Sequence, residues 1–384
     1  METWGDVWRR SQNLADAYAR RFPEKKVLFV EKSHDVTFAL RTRNFAVLKS
    51  VLRGTPQITA VSRANFYITA PIKLFPNSMF GGKFLNNAIA RLQVRHAQKL
   101  LKMKAPVYLI KPYWGCHYAG KMGELCVLYD IGDDWNAIKQ SKRATRWTRE
   151  EDEFLTKRAD AVTVVSEYLR QQKSQFRDDV FLIPNGIDTE RYADVWRRTL
   201  PSHSLTENWR RPVLGYTGML HAERLDIDLI LETAQAFPEA TIALVGPNLL
   251  DTQRCDQLRA CANLVISEPV PYRDVPALMS AFDVCLVPNL VNDFSESQNP
   301  LKMFEYLASG LPIVSTNVAG FRDYSDLVRI ANSPQEFIEE IQEALVEGTA
   351  QATLRQAAVQ SETWDARLDA LLKAIEYAKS KRNK

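Results

Sequence analysis

Apolar and polar positions alternate in blocks along this chain. Short runs rich in Val, Ile and Leu, nearly unbroken by polar residues, are separated by amphipathic stretches of roughly 10 to 20 residues, the signature of repeated βαβ units. In the first half the runs predict strands at Lys26–Glu31, Val107–Pro112, Cys126–Ile131, Ala161–Ser166 and Val180–Pro184. In the second half they predict strands at Val213–Thr217, Thr241–Gly246, Leu264–Ser267, Val284–Pro288 and Pro312–Thr316. Strands without apolar–polar alternation have both faces covered, as in a parallel sheet flanked by helices. The pattern therefore predicts an α/β protein with two Rossmann-like, doubly wound parallel-sheet domains.

Two stretches break the rhythm. Thr199–Arg211 (TLPSHSLTENWRR) is polar, contains Pro201 and carries no period, the mark of a linker. It divides the chain into a first domain of residues 1–205, a second of 206–363 and a final helix of 364–384. Two domains also suit 384 residues, because a single core rarely grows beyond about 250 to 300. At the other end, helical periodicity begins almost at once, over Val7–Arg21. That leaves no room for the strand that opens a Rossmann unit, so either the sequence starts late relative to its relatives or the first domain is irregular.

Composition narrows the class without naming a chemistry. Apolar residues make up 46% and charged residues 25%, the balance of a soluble globular protein. The five cysteines, Cys116, Cys126, Cys255, Cys261 and Cys285, form no C-x-x-C pair, which favours neither a disulfide framework nor a zinc site and fits a reducing cytoplasm. No run reaches the roughly 18 apolar residues of a membrane span, and no secretory signal is expected. A net charge of +4 is too mild to imply nucleic-acid binding. Basic residues cluster only locally, in Lys379–Lys384 (KSKRNK) and across Lys73–Lys104, where seven lysines and arginines interleave with Phe75, Met79, Phe80 and Phe84. Each cluster reads either as a solvated surface or as a contact for an anionic membrane.

Open α/β sheets bind ligands at the carboxyl ends of their strands. The segment Asn299–Val314 reads as a loop, a helix opening at Pro300 and ending before Gly310, and a buried strand. A helix start presents unpaired N–H groups and the positive end of a dipole, which suits a diphosphate. Lys302 would add charge there, and Glu305 would accept the hydroxyls of a ribose. The same two residues also read as an exposed i, i+3 surface pair.

Taken in order, Gly215-Tyr216-Thr217-Gly218, Val245-Gly246-Pro247, Ala281–Pro288 and Lys302–Pro312 resemble the donor domain of family 4-like GT-B glycosyltransferases. In the first half, Val164-Val165-Ser166-Glu167 and Ile183-Pro184-Asn185-Gly186-Ile187-Asp188 look like the end of that family's acceptor domain. The resemblance covers essentially the whole chain. It implies a UDP- or GDP-sugar donor, bound without a metal or other cofactor by Gly218, Arg224, Gly246, Pro247, Val270, Ser297, Asn299, Pro300, Leu301, Lys302 and Glu305. Two departures stand out. The family's Gly-Arg turn has Met219 in the Arg position and Arg224 in the following Lys position. The first member of its Glu-x7-Glu pair falls on Ser297, next to Glu296, while the second matches Glu305.

On the acceptor side, Tyr129-Asp130-Ile131-Gly132-Asp133-Asp134 resembles the Tyr-Asp-x-x-Asp-Asp segment of a polysaccharide-building subgroup similar to teichuronic acid transferases. Asp130, Asp133 and Asp134 are expected to face the cleft, one of them serving as general base or orienting group for an acceptor hydroxyl. A metal site of the D-x-D kind, or Asp133 capping a following helix, are the competing readings. The opening Trp4–Gln12 resembles the same subgroup and implies Arg10 and Gln12 as acceptor or phosphate contacts. An amphipathic helix with Trp4 and Trp8 in the core competes with this.

The resulting expectation is transfer of a sugar to a hydroxyl of a cell-surface glycan, carried on a polyprenyl-type lipid at the inner membrane face. The first domain takes the acceptor, the second the donor, and the last helix crosses back to the first. A sugar-nucleotide epimerase or phosphorylase is the enzymatic alternative. A non-catalytic sugar-nucleotide or glycan binder is the other.

Overall fold

The computed structural model describes residues 4, 8–43, 58–61, 63–111, 113–137 and 142–382. Strands β1 to β9 lie at Val27–Val30, His34–Asp35, Ile58–Ala60, Phe66–Thr69, Ile72–Lys73, Val107–Ile110, Cys126–Ile131, Ala161–Val164 and Val180–Leu182. Strands β10 to β15 follow at Val213–Thr217, Thr241–Val245, Leu264–Ser267, Val284–Val287, Ile313–Thr316 and Arg329–Ala331. All ten expected strands are present. Several are a residue or two shorter than the apolar runs, because Pro184, Pro288 and Pro312 have no N–H to give to a ladder. Pro112, the end of another run, is outside the described residues.

The second half forms one six-stranded sheet in the order β12-β11-β10-β13-β14-β15, every pair parallel. The chain moves outward from β10 to β12, then returns to the other side of β10 for β13. Between those two strands lies the switch point at which doubly wound sheets open a crevice. Alternate residues feed opposite cores: Val213, Ala243, Val245, Cys285 and Val287 pack on one face, Leu214, Tyr216, Ile242, Leu244, Val284 and Leu286 on the other. Both faces are therefore dry, as the unbroken apolar runs require.

The first half is less regular than a single doubly wound sheet. Its described strands form three sheets: β6-β7-β8-β9, all parallel; β1-β4-β3, with β3 antiparallel to β4; and the two-stranded β2-β5. Strands β2 to β5 are two to four residues long, too short to leave a periodic trace. The opening helix is described over Arg10–Arg21, and its expected start at Val7 is outside the described residues. Half-buried Trp4 lies ahead of that helix and packs against Phe66 and Phe29.

One face of β6–β9 is covered by the opening helix and by Trp364–Arg382. Leu14 and Ala17 of the former meet Leu368, Leu371 and Ala374 of the latter around Cys126, Leu128 and Ala161. No helix among the described residues is long and apolar enough to cross a membrane.

Candidate active site

Two glycines bring the backbone close at the carboxyl ends of β10 and β11. Gly218, after β10, has φ 143°, and Gly246, after β11, has φ 147°, a region open to residues without a Cβ. A Cβ on Gly246 would lie 2.1 Å from the Gly218 carbonyl oxygen, and one on Gly218 2.8 Å from Lys302 Nζ. Hydrogen bonds from Gly218 N–H to Val245 O at 2.9 Å and from Leu220 N–H to Pro247 O at 2.9 Å knit the two turns together.

Facing them is the helix Leu301–Ser309, with Pro300 as N-cap and Gly310 ending it in the left-handed conformation at φ 75°. Its inner face buries Met303, Phe304, Tyr306, Leu307 and Ala308. Tyr306 Oη accepts a hydrogen bond of 2.8 Å from Thr217 N–H, tying the helix to the end of β10. The Pro300 side chain caps none of the first-turn N–H groups, which leaves donors at the crevice.

Lys302 and Glu305 are not the exposed surface pair that spacing alone allowed. Lys302 is 8% exposed, its Nζ has no hydrogen-bond partner, and it sits 3.7 Å from the centroid of the Tyr216 ring. Burial pushes its ammonium far below the ordinary lysine range, and the nearby Arg224 guanidinium pushes the same way. Burial raises the Glu305 carboxyl, against the opposing influence of Tyr192, Lys302 and Tyr272 beside it. Arg224 stacks over the Phe294 ring at 5.5 Å. Gly218, Arg224, Gly246, Lys302 and Glu305 thus converge, with Pro247 in the second turn. Val270 packs beside the core under this crevice. Tyr192, Tyr272 and Tyr306 also surround this place, with no sequence signal of their own for the first two. Tyr306 was within reach, since it lies four residues after Lys302 and so one turn along the same helix.

Ser297 does not stand where a donor-sugar contact is expected. It is fully buried, its Oγ donating to Phe294 O at 2.8 Å and accepting from Asp134 N–H at 3.3 Å. Its neighbour Glu296 pairs with Arg322. Asn299 also looks to the other half of the chain, accepting from Asn185 N–H at 2.7 Å and from Asn185 Nδ2 at 2.6 Å. Leu301 packs against the Trp364–Arg382 side of the molecule.

On the acceptor side the expectation of three cleft-facing carboxylates is corrected. Asp130 is 1% exposed and Arg10 2%; Arg10 Nε and Nη2 each reach the carboxylate at 2.9 Å, and Thr163 Oγ1 donates to it at 2.7 Å. Burial alone would raise Asp130, but the Arg10 charge and hydrogen bonds, Lys111 and Thr163 outweigh it and hold the carboxyl below its usual range. Arg10 is therefore no contact at the cleft mouth; its remaining Nη1 donates to Pro184 O at 2.8 Å. Gln12 is likewise buried, and its Oε1 accepts from Arg9 N–H at 3.1 Å to cap its own helix.

Asp134 is 8% exposed and its Oδ1 accepts from Asn136 N–H at 2.9 Å. Asp133 is the most accessible of the three, receiving Gln298 Nε2 at 3.3 Å. Among the described residues no helix starts after it: a turn follows at Trp135–Asn136. Among the described residues no group of three or more His, Cys, Asp or Glu is placed to hold a metal ion.

Comparison with known proteins bears on this geometry. Residues 211–347 match the family model described as glycosyl transferases group 1. A putative teichuronic acid biosynthesis glycosyltransferase, TuaH, of Bacillus subtilis (strain 168) is 27% identical over 205 residues, which span 50% of this chain and 50% of that protein. Among solved structures, OtsA in its apo form superposes with a TM-score of 0.70 at 11% identity, covering 98% of this chain and 97% of that one. Sucrose-phosphate synthase from Thermosynechococcus elongatus gives 0.66 at 15% identity, over 97% and 93%. Anabaena HepE, in complex with UDP and glucose, gives 0.63 at 15% identity, over 92% and 99%. Residues 211–347 are thus similar to the glycosyl transferases group 1, and the chain as a whole shares the GT-B fold of those solved structures.

Proposed function

We propose that this chain transfers a sugar from a UDP- or GDP-sugar to a hydroxyl of a glycan or polyprenyl-linked glycan in cell-surface polysaccharide synthesis, at the cytoplasmic face of the membrane. The observation that carries it is the unpartnered ammonium of Lys302, buried over Tyr216 and directed at Gly218. An isolated buried cation is costly, and a diphosphate seated on the two glycine turns would supply the missing partner. Leu301–Ser309 would present its uncapped N–H groups to the same anion. Glu305 would then receive the ribose hydroxyls, while Arg224 supplements Lys302.

In the transfer, the bond from the anomeric carbon to the diphosphate oxygen breaks as the acceptor hydroxyl bonds to that carbon and loses its proton. Charge grows on the leaving diphosphate. A preorganised cation in a dry site stabilises that charge more than it stabilises the ground state. Asp133, rather than the sequestered Asp130, is the carboxylate assigned to orient or deprotonate the acceptor. HepE, described with UDP and glucose, and TuaH, named for teichuronic acid biosynthesis, support the donor and acceptor classes. Metal-independent binding is part of the proposal.

Membrane contact is assigned to the start of the helix Gly82–Leu100. Phe80 is fully exposed and Phe84 71% exposed, beside Lys83. Not every lysine of that stretch is free to meet lipid: Lys73 pairs with Asp35 and Lys83 with Glu151.

A thermal-shift screen of UDP, GDP and ADP, with and without Mg2+, tests the core of the reading, since a ligand that binds the native state raises its melting temperature. No shift with any nucleotide would overturn it. A second reading, a non-catalytic sugar-nucleotide binder, is favoured by the fully buried Ser297, and would show as a shift without turnover for every donor and acceptor offered.

A further inference from the structure

Three loops of the first half close on one tripeptide of the second. After β7, Asp134 N–H donates to Ser297 Oγ at 3.3 Å, and Asp133 Oδ1 accepts from Gln298 Nε2 at 3.3 Å. After β8, Ser166 Oγ donates to the Ser297 carbonyl at 2.7 Å. After β9, Asn185 gives its N–H to Asn299 Oδ1 at 2.7 Å and its Nδ2 to the Asn299 carbonyl at 2.6 Å. Ser297, Gln298, Asn185 and Asp134 are each less than a tenth exposed. Hydrogen bonds so shielded are stronger than those open to water. The two-point Asn185–Asn299 contact is the shortest part of this clasp, and its tripeptide ends one residue before Pro300.

Asn185 is itself held from behind. Arg367 Nε donates to the Asn185 carbonyl at 2.9 Å, and Arg10 Nη1 to the preceding Pro184 carbonyl at 2.8 Å. Arg10 is in turn locked on Asp130 inside the first half. A buried charge pair therefore orients the Pro184–Asn185 peptides, these orient Asn299, and Asn299 leads directly into the helix that carries Lys302 and Glu305.

We propose that Asn185 is a positioning residue that seats the donor-binding helix from across the cleft, so that donor affinity depends on a side chain of the opposite half. The proposal rests on the nucleotide-sugar reading above. With the clasp formed, the N-terminus of Leu301–Ser309 is fixed against the first half. With it broken, the halves are free to part, and the site loses the sub-ångström placement that binding and transfer need.

Asn185→Ala removes the Nδ2 donor and strands the Asn299 carbonyl, leaving the Arg10–Asp130 pair in place. Calorimetry with UDP and GDP should show affinity reduced about tenfold, and small-angle scattering a larger radius of gyration, with the melting temperature within a few degrees of the parent. Asn299→Ala, which removes the other bond from the opposite side, should reproduce both effects if the first variant folds poorly. A purely structural role would lower the melting temperature while the folded fraction bound nucleotide normally. Unchanged affinity in a parent that binds, or unchanged scattering in either variant, overturns the proposal. If the parent binds neither nucleotide, the functional reading fails by itself, and scattering alone decides whether the clasp exists.

Discussion

Lys302 Nζ lies 3.7 Å from the centre of the Tyr216 ring with no hydrogen-bond partner, a buried amine whose charged form is costly until an anion joins it. The Tyr216 face offsets part of that cost, since a cation over an aromatic face is worth about 0.5 to 2 kcal/mol. Lys302→Met keeps the length and apolar stem while removing the charge. It should raise the melting temperature by a few degrees, as removal of an unpartnered buried polar group does. It should also weaken nucleotide binding by about ten- to a hundredfold, because a charge-assisted contact is worth roughly 1.5 to 3 kcal/mol. Differential scanning fluorimetry and calorimetry on one preparation check both; a variant that melts lower and binds normally contradicts the assignment.

Glu305 shares its helix with Lys302 and stands beside Tyr192 and Tyr272. Glu305→Ala should weaken binding of the free nucleotide by at least about tenfold if two ribose hydroxyls bond to it. Glu305→Gln should do less harm, since an acceptor oxygen survives. A deoxyribose nucleotide should lose affinity for the parent but little further for Glu305→Ala, and additive losses would refute the ribose contact.

The buried Arg10–Asp130 pair predicts a stability phenotype where the sequence suggested catalysis. Arg10→Ala strands a carboxylate that is 1% exposed, and breaking such a pair costs about 3 to 5 kcal/mol. Chemical denaturation should show that loss. Asp130 is held below its usual range, so its contribution is present above the ordinary aspartate pKa and disappears as pH falls through its folded value. An Asp130→Asn protein of parental stability and absent turnover would instead restore the catalytic reading.

His117 gives a second pH dependence. Burial lowers its pKa from 6.5 to about 4, and the neighbouring Arg91, Lys121 and Lys83 push the same way against its Nδ1 contact with Trp114 O. The unfolded chain therefore takes up this proton first. Stability should fall as pH drops from about 6.5 towards 4, and His117→Phe should flatten that part of the curve. Urea midpoints across this range, unchanged in slope by the substitution, would show that other groups dominate.

Phe80 and Phe84, at the tip of the helix Gly82–Leu100, predict lipid contact. Phe80→Ser with Phe84→Ser should reduce partitioning onto anionic vesicles, read by co-sedimentation over a lipid titration, by about a hundredfold or more, since each buried aromatic contributes about 1.5 to 3 kcal/mol. Lys73→Glu should matter less, its ammonium being engaged by Asp35. Equal sedimentation of parent and double variant would remove this patch from the membrane.

The apolar runs by themselves determined ten of the fifteen described strands; β2 to β5 and β15, each two to four residues long, left no such run. Val213–Thr217 and Cys126–Ile131 are legible because strands buried on both faces need continuous apolar side chains, a requirement local to the run. Pro300 and Gly310 marked the helix Leu301–Ser309 for a similar reason, since an N-cap and a left-handed stop are properties of single residues. The partners of charged residues were beyond reach of sequence. Asp130 and Arg10 are 120 residues apart, and nothing local distinguishes a carboxylate open to a cleft from one locked inside. Ser297 and Asn299 likewise have their partners, Asp134 and Asn185, only where the two halves of the chain meet. Burial and hydrogen-bond geometry belong to that meeting, and they turned a supposed base into an anchor and a surface lysine into a buried, unpartnered amine.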